Sequence, residues 1–333
     1  MPRQIIAQIP RNQVHQFLDP ESVKKLECLG EIVWNPFDRP FTQDELKERI
    51  RSAEAVITTW GSAPITEDIV SEASNLRLIA HMAGSVKPVI ATMKVYDRGI
   101  TVLNSNYAIA VSVSESVLAF ILALGHRMIA VNQAMSSGVR WKTPEMETCE
   151  LRGRTVGLVG LGMVAREVIK LLKPFEVRLI ACDPYVPEET FRSLGVEASG
   201  LHEMIRQVDI LSLHAPKIPE TFGMIGRTEL SLLKDGAMLI NTARGDLIDE
   251  EALVQELKTG RILAGLDVFV QEPLARDSEL RKLNNVLVRP HLAGVNPGSR
   301  RRIGRFMVDE MHRFYRGEPL LFEVRKEQLS LMT

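Results

Sequence analysis

Short apolar runs alternate with amphipathic stretches along most of this chain. Ile5 to Ile9, Glu31 to Trp34, Ala55 to Thr58, Leu76 to Ala80 and Thr101 to Asn104 read as strands. Between them, Glu21 to Cys28 reads as a helix. Thr42 to Arg51 is a helix opened by a Thr-x-x-Glu capping box, and Thr66 opens another. Val111 to Gln133 reads as one long helix, followed by a loop around Trp141 to Glu150. A second series of strands follows: Thr155 to Val159, Val177 to Cys182, Ile210 to His214, Ala237 to Thr242, Leu263 to Val268 and Val286 to Arg289. Helices start near Leu201, Thr228 and Asp249, with Gly260 placed to stop the last of these. Alternating β and α argues for parallel sheets covered by helices. After His291, Asn296-Pro297 is an N-cap followed by a proline at the first helical position, and a helix runs to about Tyr315. The second sheet is complete by Arg289. This last helix is therefore expected to return to the first domain and make that domain discontinuous.

One turn stands out. In Thr155-Val-Gly-Leu-Val-Gly-Leu-Gly-Met-Val-Ala165, Gly160, Gly162 and Ala165 fall at G-x-G-x-x-G/A spacing after a buried-strand pattern. Met163 and Val164 then open a helix. Val164, Val168, Leu171 and Leu172 give it an apolar face until Pro174. The next strand ends at Asp183, about 20 residues on, where a ribose-binding acid is expected. Gly160 permits the tight turn, Gly162 lets a pyrophosphate approach the backbone, and Ala165 keeps helix and strand close. The helix N-terminus offers free N–H groups and a partial positive charge. Glycine turns alone are common. Strand, turn, helix, strand and acid in this order point to a dinucleotide. Asp183 has no basic neighbour in Asp183-Pro-Tyr185, and a carboxylate there repels a 2′-phosphate, which favours NAD over NADP.

The bulk numbers narrow the remaining choices. At 333 residues the chain is long enough for two domains, and a net charge of −1 gives no sign of nucleic acid or membrane as partner. Cys28, Cys149 and Cys182 are isolated, which fits a reducing cytoplasm and gives no metal site. The N-terminus lacks the apolar core of a signal peptide. The apolar run within Val111 to Met128 includes Glu115, His126 and Arg127, and its unbroken part is expected to be too short to span a bilayer.

Three polar residues stand just beyond strands of the second series, at the edge that faces the ligand crevice of a doubly wound sheet: Arg244, Glu272 and His291. Singly, each has an ordinary reading as a surface ion pair, a loop acid and a hydrogen-bonded core histidine. Together, downstream of the glycine turn, they suggest a catalytic set.

On these residues the chain resembles the D-isomer-specific 2-hydroxyacid dehydrogenase family. The matching segments are Gly157-Leu-Val-Gly-Leu-Gly162, His214-Ala-Pro216 with Thr221, Asn241-Thr-Ala-Arg-Gly245, Gly265-Leu-Asp-Val-Phe-Val-Gln-Glu-Pro273 and Arg289-Pro-His291. The first domain matches more loosely, through Asn104 and Ala110 to Glu115. The resemblance implies an α/β fold of two doubly wound parallel-sheet domains. A Rossmann-type NAD domain (108–293) would be inserted into a flavodoxin-like substrate domain (1–107 and 294–333). It implies that Arg244 binds the substrate carboxylate and polarises the 2-oxo group, a task suited to a bidentate guanidinium. His291 would be the acid in reduction and the base in oxidation. Glu272 would hold the far ring nitrogen and favour the imidazolium. Cofactor contacts are implied for Gly160, Gly162, Met163, Val164, Asp183, His214, Ala215, Pro216, Thr221, Thr242, Ala243, Arg244, Asp267, His291, Ala293 and Gly294. Asp267 would meet the nicotinamide carboxamide. Its plainer reading is a buried acid capping backbone N–H groups. Substrate contacts are implied for Ala83, Gly84, Ser85, Arg244 and His291, with Trp60 and Lys87 as further candidates.

The pattern also breaks in places. Ala83-Gly-Ser-Val-Lys87 stands where the family has an acidic Gly-x-Asp loop, and Asn106-Tyr-Ala-Ile109 replaces a Pro-Gly-x-Asn turn. Lys87 reads equally as a solvated loop lysine. Trp60-Gly-Ser-Ala63 replaces the arginine-bearing loop of phosphoglycerate dehydrogenases, which argues against a phosphorylated substrate. The chain also ends too soon for the regulatory domain such enzymes often add. Trp60 can instead pack on an apolar substrate group or between domains. Arg300, Arg301, Arg302 and Arg305 read as a solvated face, with some side chains free to meet a second anionic group. His15, His81, His126, His202 and His312 show no ligand spacing, and His81 is placed to line a cleft. No metal is expected.

The expected function is hydride transfer between NAD(H) and a small 2-oxo/2-hydroxy acid such as glyoxylate or hydroxypyruvate. The alternative is an NAD(H)-sensing interaction module of the corepressor type, which retains the same Arg, Glu and His. Formate dehydrogenase fits less well, since that branch has Gln at the position of Glu272. The Val111–Gln133 helix and the Trp141 loop match elements that pair subunits in the family, so a homodimer is expected. Hinge closure near Asn106 and Leu292 is also expected.

Overall fold

The apolar runs pair as parallel strands in two separate sheets. The computed structural model describes residues 3–332, apart from the side chains of Glu145, Ser330 and Leu331. The chain divides into two compact units: residues up to Ile109 together with those from Val295, and Ala110–Gly294.

In the first unit the described strands are β1 (Gln4–Ala7), β2 (Glu31–Trp34), β3 (Ala55–Thr58), β4 (Leu78–His81) and β5 (Thr101–Leu103), in the order β2-β1-β3-β4-β5. This is the flavodoxin-like order. Every residue of β3 and β4 is buried, as expected for strands covered on both faces. Alternate residues feed two cores. Ile6, Val56, Ile79 and Val102 join one with Leu46 and Ile69. Ile5, Ile57 and Leu78 join the other with Phe17, Ile303 and Met307. Thr42 forms the expected capping box with Glu45.

The Pro297–Arg316 helix belongs to this unit. Asn296 caps it by accepting the Ser299 N–H at 2.9 Å, and Gly317 ends it in the left-handed conformation. Gly304 lets it approach the Phe17 backbone, where a Cβ would fall on the Phe17 carbonyl. Buried Glu310 on this helix accepts the Leu321 and Phe322 N–H groups from the segment beyond it, where Val324 bonds to Val102 at the β5 edge.

In the second unit the described strands are β6 (Thr155–Val159), β7 (Arg178–Cys182), β8 (Glu197–Ala198), β9 (Ile210–Leu213), β10 (Met238–Asn241), β11 (Leu263–Leu266) and β12 (Val286–Val288). Their order, β12-β11-β10-β9-β6-β7-β8, is that of a Rossmann sheet extended by one strand. β8 went unread in the sequence because it is two exposed residues with no apolar run.

Two expectations need correction. The long helix is two, Asn106–Gly125 and Met128–Ser136, broken at Arg127, which adopts the left-handed conformation with φ +46°. The apolar pattern runs on through Met128, Ile129 and Val131, so periodicity does not register the break. The first of the pair is also 20 residues long and, by length and composition, long enough to cross a membrane, contrary to the expectation of too short a run. In this fold 56% of its most apolar window is buried, and Val117, Phe120, Ile121 and Leu124 lie in the core of the second unit.

Candidate active site

β6 ends at Val159, and the next residue must turn sharply. Gly160 has φ +90°, and a Cβ there would lie 2.9 Å from the Ala215 nitrogen. At Gly162 an added Cβ would meet nothing within 4 Å, so the backbone stands open at the N-cap of the Met163–Leu172 helix. Met163 is exposed, Val164 is half-buried, and Ala165 is fully buried against the strand side. Asp183 is tied to the turn. Its Oδ2 accepts the Leu161 N–H at 2.8 Å and its Oδ1 the Tyr185 N–H at 3.0 Å.

Val159, Leu213 and Asn241 are in register at the ends of β6, β9 and β10. Beside them lie buried polar atoms without a partner among the described residues: both ring nitrogens of His214, Thr242 Oγ1 and Ser212 Oγ. Burial pushes His214 down to about 3, so its ring is neutral near pH 7. Unpartnered buried donors and acceptors are costly, and a ligand's polar groups would satisfy them. Ala215 and Pro216 continue from His214. The loop closes through Thr221, whose hydroxyl donates to the Pro216 carbonyl at 2.6 Å. A glycine cradle, an open helix N-terminus, an acid at the second strand end and these orphaned atoms fit a dinucleotide.

The three catalytic candidates are positioned by backbone contacts. Beyond β10, the Asn241 side chain accepts the Ala243 N–H at 3.0 Å and donates to the Arg244 carbonyl at 2.8 Å, which fixes the turn that carries Arg244. Gly245 lies against the backbone of the next loop, where a Cβ would fall on the Phe269 carbonyl. Arg244 is half-buried and donates to the Ala243 carbonyl at 2.6 Å. Burial pushes its pKa down, against the charges of Glu272 and Asp246. Beyond β11, Glu272 Oε1 accepts the Phe269 N–H at 3.1 Å, and its Oε2 meets His291 Nδ1 at 2.7 Å. His291 follows β12 in the left-handed conformation, φ +54°. A cavity of about 500 Å³ is lined by Phe269, Glu272, Leu274, Val288, Pro290 and His291.

Asp267 is fully buried at the end of β11. Its two oxygens accept the N–H groups of Leu292 (2.9 Å) and Ala293 (2.8 Å), and its carbonyl accepts the His291 N–H at 2.8 Å. Burial raises its pKa, against these N–H bonds and the charges of Arg289 and His291. The geometry corresponds to the plainer reading, an acid capping the loop that carries His291, Ala293 and Gly294.

Residues 118–293 match the model of the D-isomer specific 2-hydroxyacid dehydrogenase NAD binding domain. The chain is 35% identical to a hydroxypyruvate reductase of Thermotoga maritima over 81% of its own length and 87% of that protein. It is 33% identical to a D-3-phosphoglycerate dehydrogenase of Methanocaldococcus jannaschii over 90% of its own length but 56% of that protein, so it spans about half the length of that relative. Among solved structures, apo D-mandelate dehydrogenase of Rhodotorula graminis matches with TM-score 0.81 and 26% identity, over 97% of this chain and 98% of that one. This chain belongs to the D-isomer specific 2-hydroxyacid dehydrogenase family. Its second unit is therefore a nicotinamide-cofactor domain.

The first unit of this family member carries the other candidates. Ala83 is buried, and Gly84 and Ser85 are half-buried. The Ala83 carbonyl accepts the Ser105 N–H at 3.0 Å, and Gly84 faces the Asn106 side chain. Lys87 is exposed. His81 does not line an open surface. It is 2% exposed, with Nδ1 2.8 Å from Thr58 Oγ1, and burial pushes it down to about 4 against a bond to the Ser85 backbone. The arginine run is also largely committed. Arg300 donates to Gln16, Arg302 to the Ala108 carbonyl at 3.0 Å and Arg305 to Asp19 at 2.6 Å, while Arg301 is exposed. Sequence reading missed the positioning roles of Asn241, Phe269 and Thr58. Asn241 stood inside a quoted motif, and its place at a strand end before a turn was the available signal. The other two act through a backbone N–H and a neutral hydroxyl, which leave no such trace.

Proposed function

We propose that this protein transfers a hydride between NAD(H) and a small 2-oxo/2-hydroxy acid, in the manner of the glyoxylate and hydroxypyruvate reductases. The observation that carries this reading is the His291–Glu272 pair, closed at 2.7 Å at the strand ends of a nicotinamide-cofactor domain. A bound nicotinamide supplies or takes the hydride at C2. Arg244 pairs with the substrate carboxylate and draws electron density from the 2-oxo group. His291 has Nδ1 engaged by Glu272, which leaves Nε2 to give a proton to the carbonyl oxygen in reduction and to remove it in oxidation. Glu272 keeps the ring in one orientation and offsets its positive charge. Asp267 acts as a positioning residue through the 291–293 backbone.

NAD is proposed over NADP because Asp183 presents a carboxylate at the end of β7 with no basic residue beside it. Exposed Met128, Ile129, Met135 and Trp141 support a homodimer built through the second unit, testable by sedimentation equilibrium. The free cysteines Cys28, Cys149 and Cys182 suit a reducing cytoplasm. The direct test follows NADH absorbance with glyoxylate, hydroxypyruvate and longer 2-oxo acids. Saturable oxidation is expected with at least one of them. NADH binding without turnover of any acid would leave the cofactor-sensing alternative.

A further inference from the structure

We infer that Arg289 and Ser116 are positioning residues for the loop that carries His291: Ser116, on the Asn106–Gly125 helix, holds the Arg289 guanidinium beside the buried Asp267 carboxylate, which in turn holds the loop. This rests on the reaction proposed above, and every residue it uses lies within the second unit.

The parallel pairing of β11 with β12 runs on past their ends. The Arg289 N–H donates to the Leu266 carbonyl at 2.9 Å and the His291 N–H to the Asp267 carbonyl at 2.8 Å. Arg289 therefore leaves the sheet beside Asp267, two residues before His291. Its Nη1 donates to Ser116 Oγ at 3.1 Å, and its Nε stands 4.0 Å from Asp267 Oδ1. The Ser116 hydroxyl in turn donates to the Ala293 carbonyl at 3.3 Å. One serine thus ties the long helix to both ends of the 289–293 loop. The close approach depends on Gly265, on the same side of β11 as Asp267 by strand alternation. A Cβ at Gly265 would lie 2.7 Å from the Phe120 ring, and the Arg289 guanidinium lies over that ring at 5.9 Å from its centre.

Charge explains why a guanidinium stands here. Asp267 is fully buried, with N–H groups at 2.9 and 2.8 Å on its two oxygens. A carboxylate taken out of water also needs a nearby cation. The charges that bear on it are those of Arg289 and His291. Ser116 on the helix and Asn241 on β10, whose carbonyl accepts the Asp267 N–H at 2.9 Å, are neutral. His291 cannot serve throughout, because the reaction removes its proton and returns it. Arg289 carries a charge that does not cycle. It keeps Asp267 ionised, and both loop N–H groups held, in either protonation state of His291.

The test is kcat and KM for reduction between about pH 5 and pH 8, on the wild type, Arg289→Met, Arg289→Lys and Ser116→Ala. The substrate is the fastest acid among glyoxylate, hydroxypyruvate and longer 2-oxo acids, with NADH. Reduction uses His291 in its protonated form, so a fall in kcat on the acid side reports another group. Arg289→Met should move that fall to higher pH by about 1 unit or more, as expected when a carboxylate loses an adjacent cation. KM for NADH should change less than kcat. Arg289→Lys keeps the charge and should restore most of the wild-type profile. Ser116→Ala frees the guanidinium to turn away and should shift the profile the same way, by less. A profile unmoved in Arg289→Met, or moved as far in Arg289→Lys, overturns the inference while the reaction stands. No turnover of any acid removes the reaction and this inference with it.

Discussion

Glu272 spans two partners, with Oε1 on the Phe269 N–H at 3.1 Å and Oε2 on His291 Nδ1 at 2.7 Å. The carboxylate is anchored to its own loop before it meets the ring, so it constrains the imidazole without following it. His291→Ala should lower kcat by about 10²–10⁴ through loss of proton transfer. Glu272→Gln keeps a hydrogen-bonding group at the ring but removes the charge, and its loss should be smaller. NADH affinity, read by fluorescence titration, should be largely retained in both. Unchanged kcat in His291→Ala would remove the assignment.

Gly245 couples the Arg244 turn to the Glu272 loop. A Cβ there would strike the Phe269 carbonyl and the Val270 nitrogen, both backbone atoms with no rotamer to escape into. Gly245→Ala should therefore cost about 1–3 kcal/mol in stability, as overpacked sites do. It should also raise KM for the acid, because Arg244 is the residue displaced. Urea unfolding and steady-state kinetics on the same preparation check both effects. A variant with wild-type stability and KM would mean that the two loops separate freely.

Asp183 has two tasks in this reading. It holds the glycine turn through the Leu161 N–H and presents negative charge where a 2′-phosphate would lie. Asp183→Asn can keep the first through its side-chain oxygen and loses the second. The ratio of kcat/KM for NADH over NADPH should fall by at least about 10-fold, roughly 1.4 kcal/mol. NADPH already preferred by the wild type would reverse the cofactor reading.

Much of this was legible from residue order because each signal was local. A glycine turn between strand and helix, a Thr-x-x-Glu box at Thr42 and Asn296-Pro297 all act within one turn of chain. The strand ends carrying Arg244, Glu272 and His291 were legible for the same reason, as each follows its apolar run directly. What stayed hidden depends on tertiary contact or on a single backbone angle. The left-handed Arg127 breaks a helix without breaking its apolar stripe. The two-residue β8 exists only by pairing with β7. Whether Arg300 and Arg305 point outward or bond to Gln16 and Asp19 depends on which helix packs alongside, and spacing carries no trace of that.

His81 and His214 give the protein a specific acid sensitivity. Burial pushes them down to about 4 and about 3, from an ordinary value near 6.5. Both rings therefore take up a proton more readily in the unfolded chain. Their contribution to stability is intact above pH 6.5 and is lost as pH falls toward 4 for His81 and 3 for His214. Carboxylates held low by their partners, such as Glu45 at about 2 beside Arg39 and the Thr42 N–H, lose their contribution only below their ordinary range near pH 4. The interval from pH 6.5 to about 4.5 thus belongs largely to the histidines. His81→Asn removes one of these protonations while leaving a polar group facing Thr58. It should lower stability at pH 7.5 through lost packing yet flatten the decline toward pH 4.5, with about 3 kcal/mol as the upper bound for His81. Urea midpoints followed by tryptophan fluorescence at pH 7.5, 6 and 5 would show it. Parallel declines in wild type and variant would mean that the buried His81 ring does not set the slope.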